Sequence, residues 1–169
     1  MADTAEKPRK RLSLGGWKFV LAIILVLAYT AGTAYGVMSD TSIRGLTVKM
    51  FNVSRYCTII PGPLKTLNYN LRGSIWSSSS IQTSLSHLTF TLSVDGSVIG
   101  TNSLGDSSFG PGQGVPFNLT FNHPTLNPTV LPLSSRLVLT VTATAAAGLY
   151  SATEAASDST LQTFSSTGC

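Results

Sequence analysis

Residues 89–104 run TFTLSVDGSVIGTNSL. Apolar and polar residues alternate on both sides of Asp95-Gly96, the period-two pattern of a half-buried strand. Asp-Gly is the strongest short-range hairpin signal, because a type I′ turn needs positive φ at both central residues. Leu88, Phe90, Leu92 and Val94 then share one face, and a hairpin with one apolar face needs a second apolar layer to cover it.

Working outward, other segments supply that layer. IRGLTVKMFNV (43–53) and LKTLNYNLRGSIW (64–76) read as strands parted by PGP (61–63), and SSSS (77–80) breaks the pattern before the hairpin. Downstream, the Gly/Pro loop FGPGQG (109–114) leads into a strand in which Phe117, Leu119 and Phe121 alternate with Asn118 and Thr120. The proline-rich HPTLNPTVLPLSS (123–135) is expected to lie outside any sheet and to cross between sheets. RLVLTVTAT (136–144) is a β-branched strand, AAAGL (145–149) is compatible with a helical turn, and DSTLQTFSS (158–166) reads as a short last strand. The spacing predicts an all-β fold, an antiparallel immunoglobulin- or fibronectin-like sandwich of about seven strands.

Ahead of it lies FVLAIILVLAYTAGTAYGVM (19–38), 20 residues without a charge. As a helix this reaches across the ~30 Å hydrocarbon core of a bilayer. Trp17, Lys18 and Tyr35 suit its two interfaces, and Lys7, Arg9, Lys10 and Arg11 hold the N-terminal side in the cytoplasm by the positive-inside rule. The expected organisation is a basic cytoplasmic tail (1–16), a transmembrane signal-anchor helix (17–38), a polar hinge at SDTS (39–42) and an extracytoplasmic sandwich domain (39–169). The lipid bilayer is thus the partner expected of residues 17–38. A cleavable signal peptide, cut near Ala34 and Gly36, is the alternative, although the apolar stretch exceeds the 7–15 residues usual for such a core.

The net charge of +4 is concentrated before the apolar segment, so it marks topology and not a nucleic-acid surface. Asn52-Val53-Ser54 and Asn118-Leu119-Thr120 are open glycosylation sequons, with unmodified surface asparagines the other reading of each. Cys57 and Cys169, the only cysteines, are either a disulfide closing nearly the whole domain or two inert thiols.

Catalytic patterns are not found. His87 and His123 stand alone, Asp95 and Asp106 fall in turns, and SSSS has no partnered His and Asp. FGPGQG precedes a strand, whereas a phosphate loop opens a helix. Trp76, beside Tyr69 in the same predicted strand, could mark a carbohydrate or peptide surface or simply core and rim. No catalytic residue, metal ligand or cofactor is expected.

The stretch LRGSIWSSSSIQTSLSHLTFTLSVDGSVIGTNSLGDSSFGPGQGVPFNLTF (71–121) resembles the water-stress and hypersensitive-response (WHy) domain of the late embryogenesis abundant proteins. The shared order is a strand, a break, a strand pair hinged at -DG- with a following Gly100, a Gly/Pro loop and another alternating strand. Where that family shows Asn-Pro at the break, this chain has SSSS. The resemblance implies a fibronectin-like sandwich behind one membrane span and brings no catalytic residues.

These readings favour a non-enzymatic, membrane-anchored surface module with a binding or structural role, such as an accessory subunit or a stress-related protein. A protein partner or self-association is expected, with function on the loops at 77–80, 106–114 and 122–134. The alternative is a secreted filament subunit that donates IRGLTVKMFNV to a neighbour's sheet.

Overall fold

The computed structural model describes residues 14–59, 64–78, 80–126 and 132–164. The chain divides into two compact units, residues 1–36 and 37–169. Helix α1 (Leu14–Arg44) is followed by β1 (Leu46–Ile59), β2 (Leu64–Ser77), β3 (Thr83–Val94), β4 (Ser97–Leu104), β5 (Ser107–Phe109), β6 (Gly114–Leu126), β7 (Ser134–Ala147) and β8 (Tyr150–Thr163).

In α1 every large apolar side chain from Trp17 to Met38 is exposed. A helix apolar on all sides is long and greasy enough to cross a membrane. It does not stop at a hinge, because SDTS is helical. Thr41 donates to the Val37 carbonyl at 2.9 Å and Ser42 to that of Met38 at 2.6 Å, so these hydroxyls bond one turn back. Arg44 pairs with Asp40 four residues earlier, and Gly45 closes the end by donating to the Thr41 carbonyl. Ser39, Ser42 and Ile43 are buried, and Ser77 donates to the Ser42 carbonyl at 2.8 Å, tying this last turn to the end of β2.

The strands form two antiparallel sheets, β1-β2-β6 and β4-β3-β7-β8, with β5 pairing the start of β3. Between them lies one core that includes Leu71, Ile75, Leu88, Phe90, Leu92, Leu137 and Leu139. The predicted sandwich is present, with eight strands among the described residues. Asp95 and Gly96 have φ of 49° and 85° and join β3 to β4 by the two-residue turn that Asp-Gly specifies.

Bulges in β3 and β1 set which of their side chains reach the core, and the β3–β4 ladder slips once more at Ile99. In β3 the inward positions are Thr83 and Leu85, then Leu88, Phe90, Leu92 and Val94. The phase changes at His87, whose φ is 53°, where the pairing with β7 slips. In β1, Phe51 is the extra residue between Met50, opposite Gly73, and Asn52, opposite Arg72. Phe51 is pushed to the surface, and the inward set moves to Val53, Arg55 and Cys57.

The proline-rich passage is partly a strand, contrary to expectation, since β6 runs through Pro124 to Leu126. Asn102 of β4 donates to the Thr120 carbonyl, so Thr120 turns its backbone polar groups away from β2. Pro116 and Pro124 share the parity of Thr120, and each places its missing N–H on the same open edge. The crossing to the second sheet does occur between β6 and β7, while 127–131 lie outside the described residues. AAAGL is not helical. Ala147 pairs Tyr150 across Gly148-Leu149, and Gly148, with φ of 61°, makes the turn into β8.

First and last strands meet at the sheet edges. Met50 donates its backbone N–H to Asp158 Oδ2 at 2.8 Å, and Arg55 lies 4.1 Å over the Phe164 ring while donating to the Pro132 carbonyl. Phe164 also stands edge-on to Tyr69.

Candidate functional site on the outer face of the first sheet

Alternation in β1, β2 and β6 turns one set of side chains into the core and the other outward. Because β2 is central, its outward residues each have a partner on both sides. Asn52 pairs Arg72, and Arg72 pairs Asn118, so the two sequon asparagines occupy one row astride Arg72. At the usual strand spacing they stand about 10 Å apart. Asn52, Arg72 and Asn118 are all exposed.

Neighbouring rows extend this polar face. Tyr56, Asn68 and Asn122 form one, and Ser54, Asn70 and Thr120 another. The Asn70 amide donates to Thr120 Oγ1 at 3.1 Å, and that of Asn68 to Thr58 Oγ1 at 2.8 Å. Half-exposed Tyr56 lies toward one end and Trp76 toward the other, so the face combines amides, hydroxyls, the Arg72 guanidinium, the Lys49 ammonium and exposed aromatic rings. Such a surface can bear or bind sugars through hydrogen bonds and ring stacking. Tyr69 is not part of it. Seven residues from Trp76, it has the opposite parity and is buried, which raises its phenol above the ordinary value, partly offset by the charge and hydrogen bond of Arg55.

The remaining sequence candidates are dispersed. Cys57 is disulfide-bonded, and Cys169, the chain's other cysteine, lies outside the described residues. His87 occupies the β3 bulge, and His123 is partly buried on β6. Asp95 accepts from the Arg136 N–H at 2.8 Å and donates its own N–H to the Arg136 carbonyl, which locks the hairpin onto β7. Among the described residues no three His, Cys, Asp or Glu side chains converge as metal ligands.

The expected functional loops also separate. Segment 106–114 contains β5 and a turn at 110–113, and 122–126 is strand. Residues 77–78 and 110–113 lie at the end of the sandwich where β1 begins, since Leu46 pairs Ser77 and Gly114 pairs Trp76, while residue 79 lies outside the described residues. The β7–β8 tip belongs to that same end, because Ala147 pairs both Thr83 and Tyr150. Its Leu149 is 93% exposed. This feature escapes sequence inspection because three alanines and a glycine carry no strand signal.

No protein-family profile matches the chain, and no curated protein sequence does. Solved structures do match. One is a protein from Archaeoglobus fulgidus, at 8% identity and a TM-score of 0.36 over 68% of this chain and 97% of that one. Another is Spo0M, a sporulation control protein from Bacillus subtilis, at 14% identity and a TM-score of 0.38 over 73% of this chain and 51% of that one. These likenesses carry no statement about activity.

Proposed function

We propose that the protein is a single-pass, membrane-anchored surface module whose sandwich lies outside the cytoplasm and serves a non-enzymatic binding or structural role. The observation that carries this is α1, uncharged from Phe19 to Met38 and exposed on every apolar side chain. Such a helix in water would leave its whole apolar surface uncovered, and a bilayer is the solvent that suits it. The basic residues at 7–11 remain cytoplasmic. The bonded state of Cys57 supports an oxidising compartment for the domain, with Cys169 as its partner.

The outer face of the first sheet is the surface offered outward, glycosylated at Asn52 and Asn118. The WHy-like order of residues 71–121 implies an anchored sandwich of this kind and adds no chemistry. The filament alternative draws less support, because the strand it would donate is already paired with β2 from Leu46 to Ile59.

The test is an intact mass of protein taken from its native membrane, before and after reduction. A mass retaining residues 1–38 is expected, with added glycan and a two-proton gain on reduction. A mass beginning near Tyr35 or Val37 would overturn the anchored reading.

A further inference from the structure

We infer that the β7–β8 hairpin tip, Leu149-Tyr150, is a second membrane contact, seated in the headgroup layer of the bilayer that holds α1. This rests on the anchored reading above. Leu149 and Tyr150 are 93% and 52% exposed, an apolar side chain followed by an amphipathic ring, and Tyr is a residue of the membrane interface. The hairpin is uncharged from Leu137 through Thr153, so bringing it against lipid desolvates no ion until Glu154.

Its place in the fold supplies the reach. β8 runs beside β1 in the same direction, as the contacts Met50–Asp158 and Arg55–Phe164 show. Glu154 therefore lies level with Leu46. Residues 150–153 continue past that level by about 13 Å at the strand rise. Between Met38, where the apolar span ends, and Gly45, the helix rises about 10 Å. The chain thus cannot separate the domain's entry end from the end of the span by more than the tip can bridge. Trp76, 40% exposed, belongs to that end as well.

Quenching by brominated acyl chains tests this on the full chain in phosphatidylcholine/phosphatidylglycerol vesicles. Trp17 and Trp76 are the only tryptophans, so single-Trp proteins are readily made. Trp76→Phe leaves Trp17 as the reporter of the anchor. Adding Trp17→Phe with Leu149→Trp reports the tip, and with Val98→Trp instead reports an exposed site beside the Asp95-Gly96 turn at the opposite end. Quenching at 17 and at 149, severalfold above that at 98, is the expected result. Quenching at 17 without quenching at 149 would overturn the tip contact and leave the anchor standing. Absence of quenching at 17 would overturn the anchored reading and the tip contact with it. Equal quenching at 98 and 149 would also overturn the proposal, since the tip would then have no preference for lipid.

Discussion

Met50 and Asp158, 108 residues apart in sequence, join the two sheets through one hydrogen bond of 2.8 Å from a backbone N–H to a carboxylate. The bulge at Phe51 disturbs the ladder beside Met50, and Asp158 receives the donor at this part-buried edge. Hydrogen bonds to charged groups contribute about 1.5–3 kcal/mol, so Asp158→Ala is expected to lose about that much in urea unfolding of the full chain in detergent. Asp158→Asn, which keeps an acceptor, should recover part of it. Equal stability of all three proteins would show that the contact does not hold the sheets together.

Gly73, opposite Met50, has no room for a side chain. A Cβ there would collide with the Lys49 carbonyl and the Phe117 ring. Gly73→Ala is expected to cost at least 1–3 kcal/mol, the usual penalty for overpacking, and more if the Lys49 backbone cannot yield. Gly105, where a Cβ meets nothing within 4 Å, is the control: Gly105→Ala should be close to neutral under the same denaturant titration.

At the other end of β8, the Phe164 ring packs on Tyr69 and Arg55, two residues from the bonded Cys57. Phe164→Ala should cost about 3–5 kcal/mol. With Cys169 as the partner proposed above, Cys57→Ser should cost about 4–5 kcal/mol in the chain-entropy account of so long a loop. Because both act on one tail, the double variant is expected to lose less than the two single losses combined, and a double-mutant cycle reads the difference directly.

Tyr69 makes stability pH-dependent in the alkaline range. Its folded-state phenol titrates above the ordinary value of 10.0, chiefly through burial. Its contribution is therefore complete below about pH 10 and falls as pH rises toward the folded value. Tyr69→Phe should lack this part of the alkaline loss, while at neutral pH it loses about 1 kcal/mol with the hydrogen bond to Arg55. Parallel urea titrations at neutral and alkaline pH would show it, and identical pH dependence of the two proteins would contradict it.

The strong periodic segments were legible in the sequence, and the Asp95-Gly96 turn above all, because alternation and a left-handed turn are local properties. What was hidden depended on neighbours. Nothing local to SDTS says that Ser39, Ser42 and Ile43 will be buried and their helix continued. The β3 bulge places Leu85 and Leu88 on the same face although they are three residues apart, which strict alternation forbids. Pro124 is acceptable in a strand only because β6 is an edge, and β8 extends through YSATEAAS because β7 offers it a template. The candidate face was half visible: both sequons could be found, but only the register through Arg72 puts them in one row.

Adjacency of β1 and β8 also governs when the domain can be completed. A chain emerges from synthesis in sequence order, so β1 and β2 are available to each other early, whereas the second sheet lacks its edge until the last strand arrives. The contacts that join the two edges close loops of more than 100 residues, among the slowest steps in assembling a fold. On the exported reading proposed above, the apolar faces of the two sheets wait uncovered until translocation ends. A tether to the membrane would hold that unfinished chain apart from its neighbours during the interval when it is most prone to associate with them.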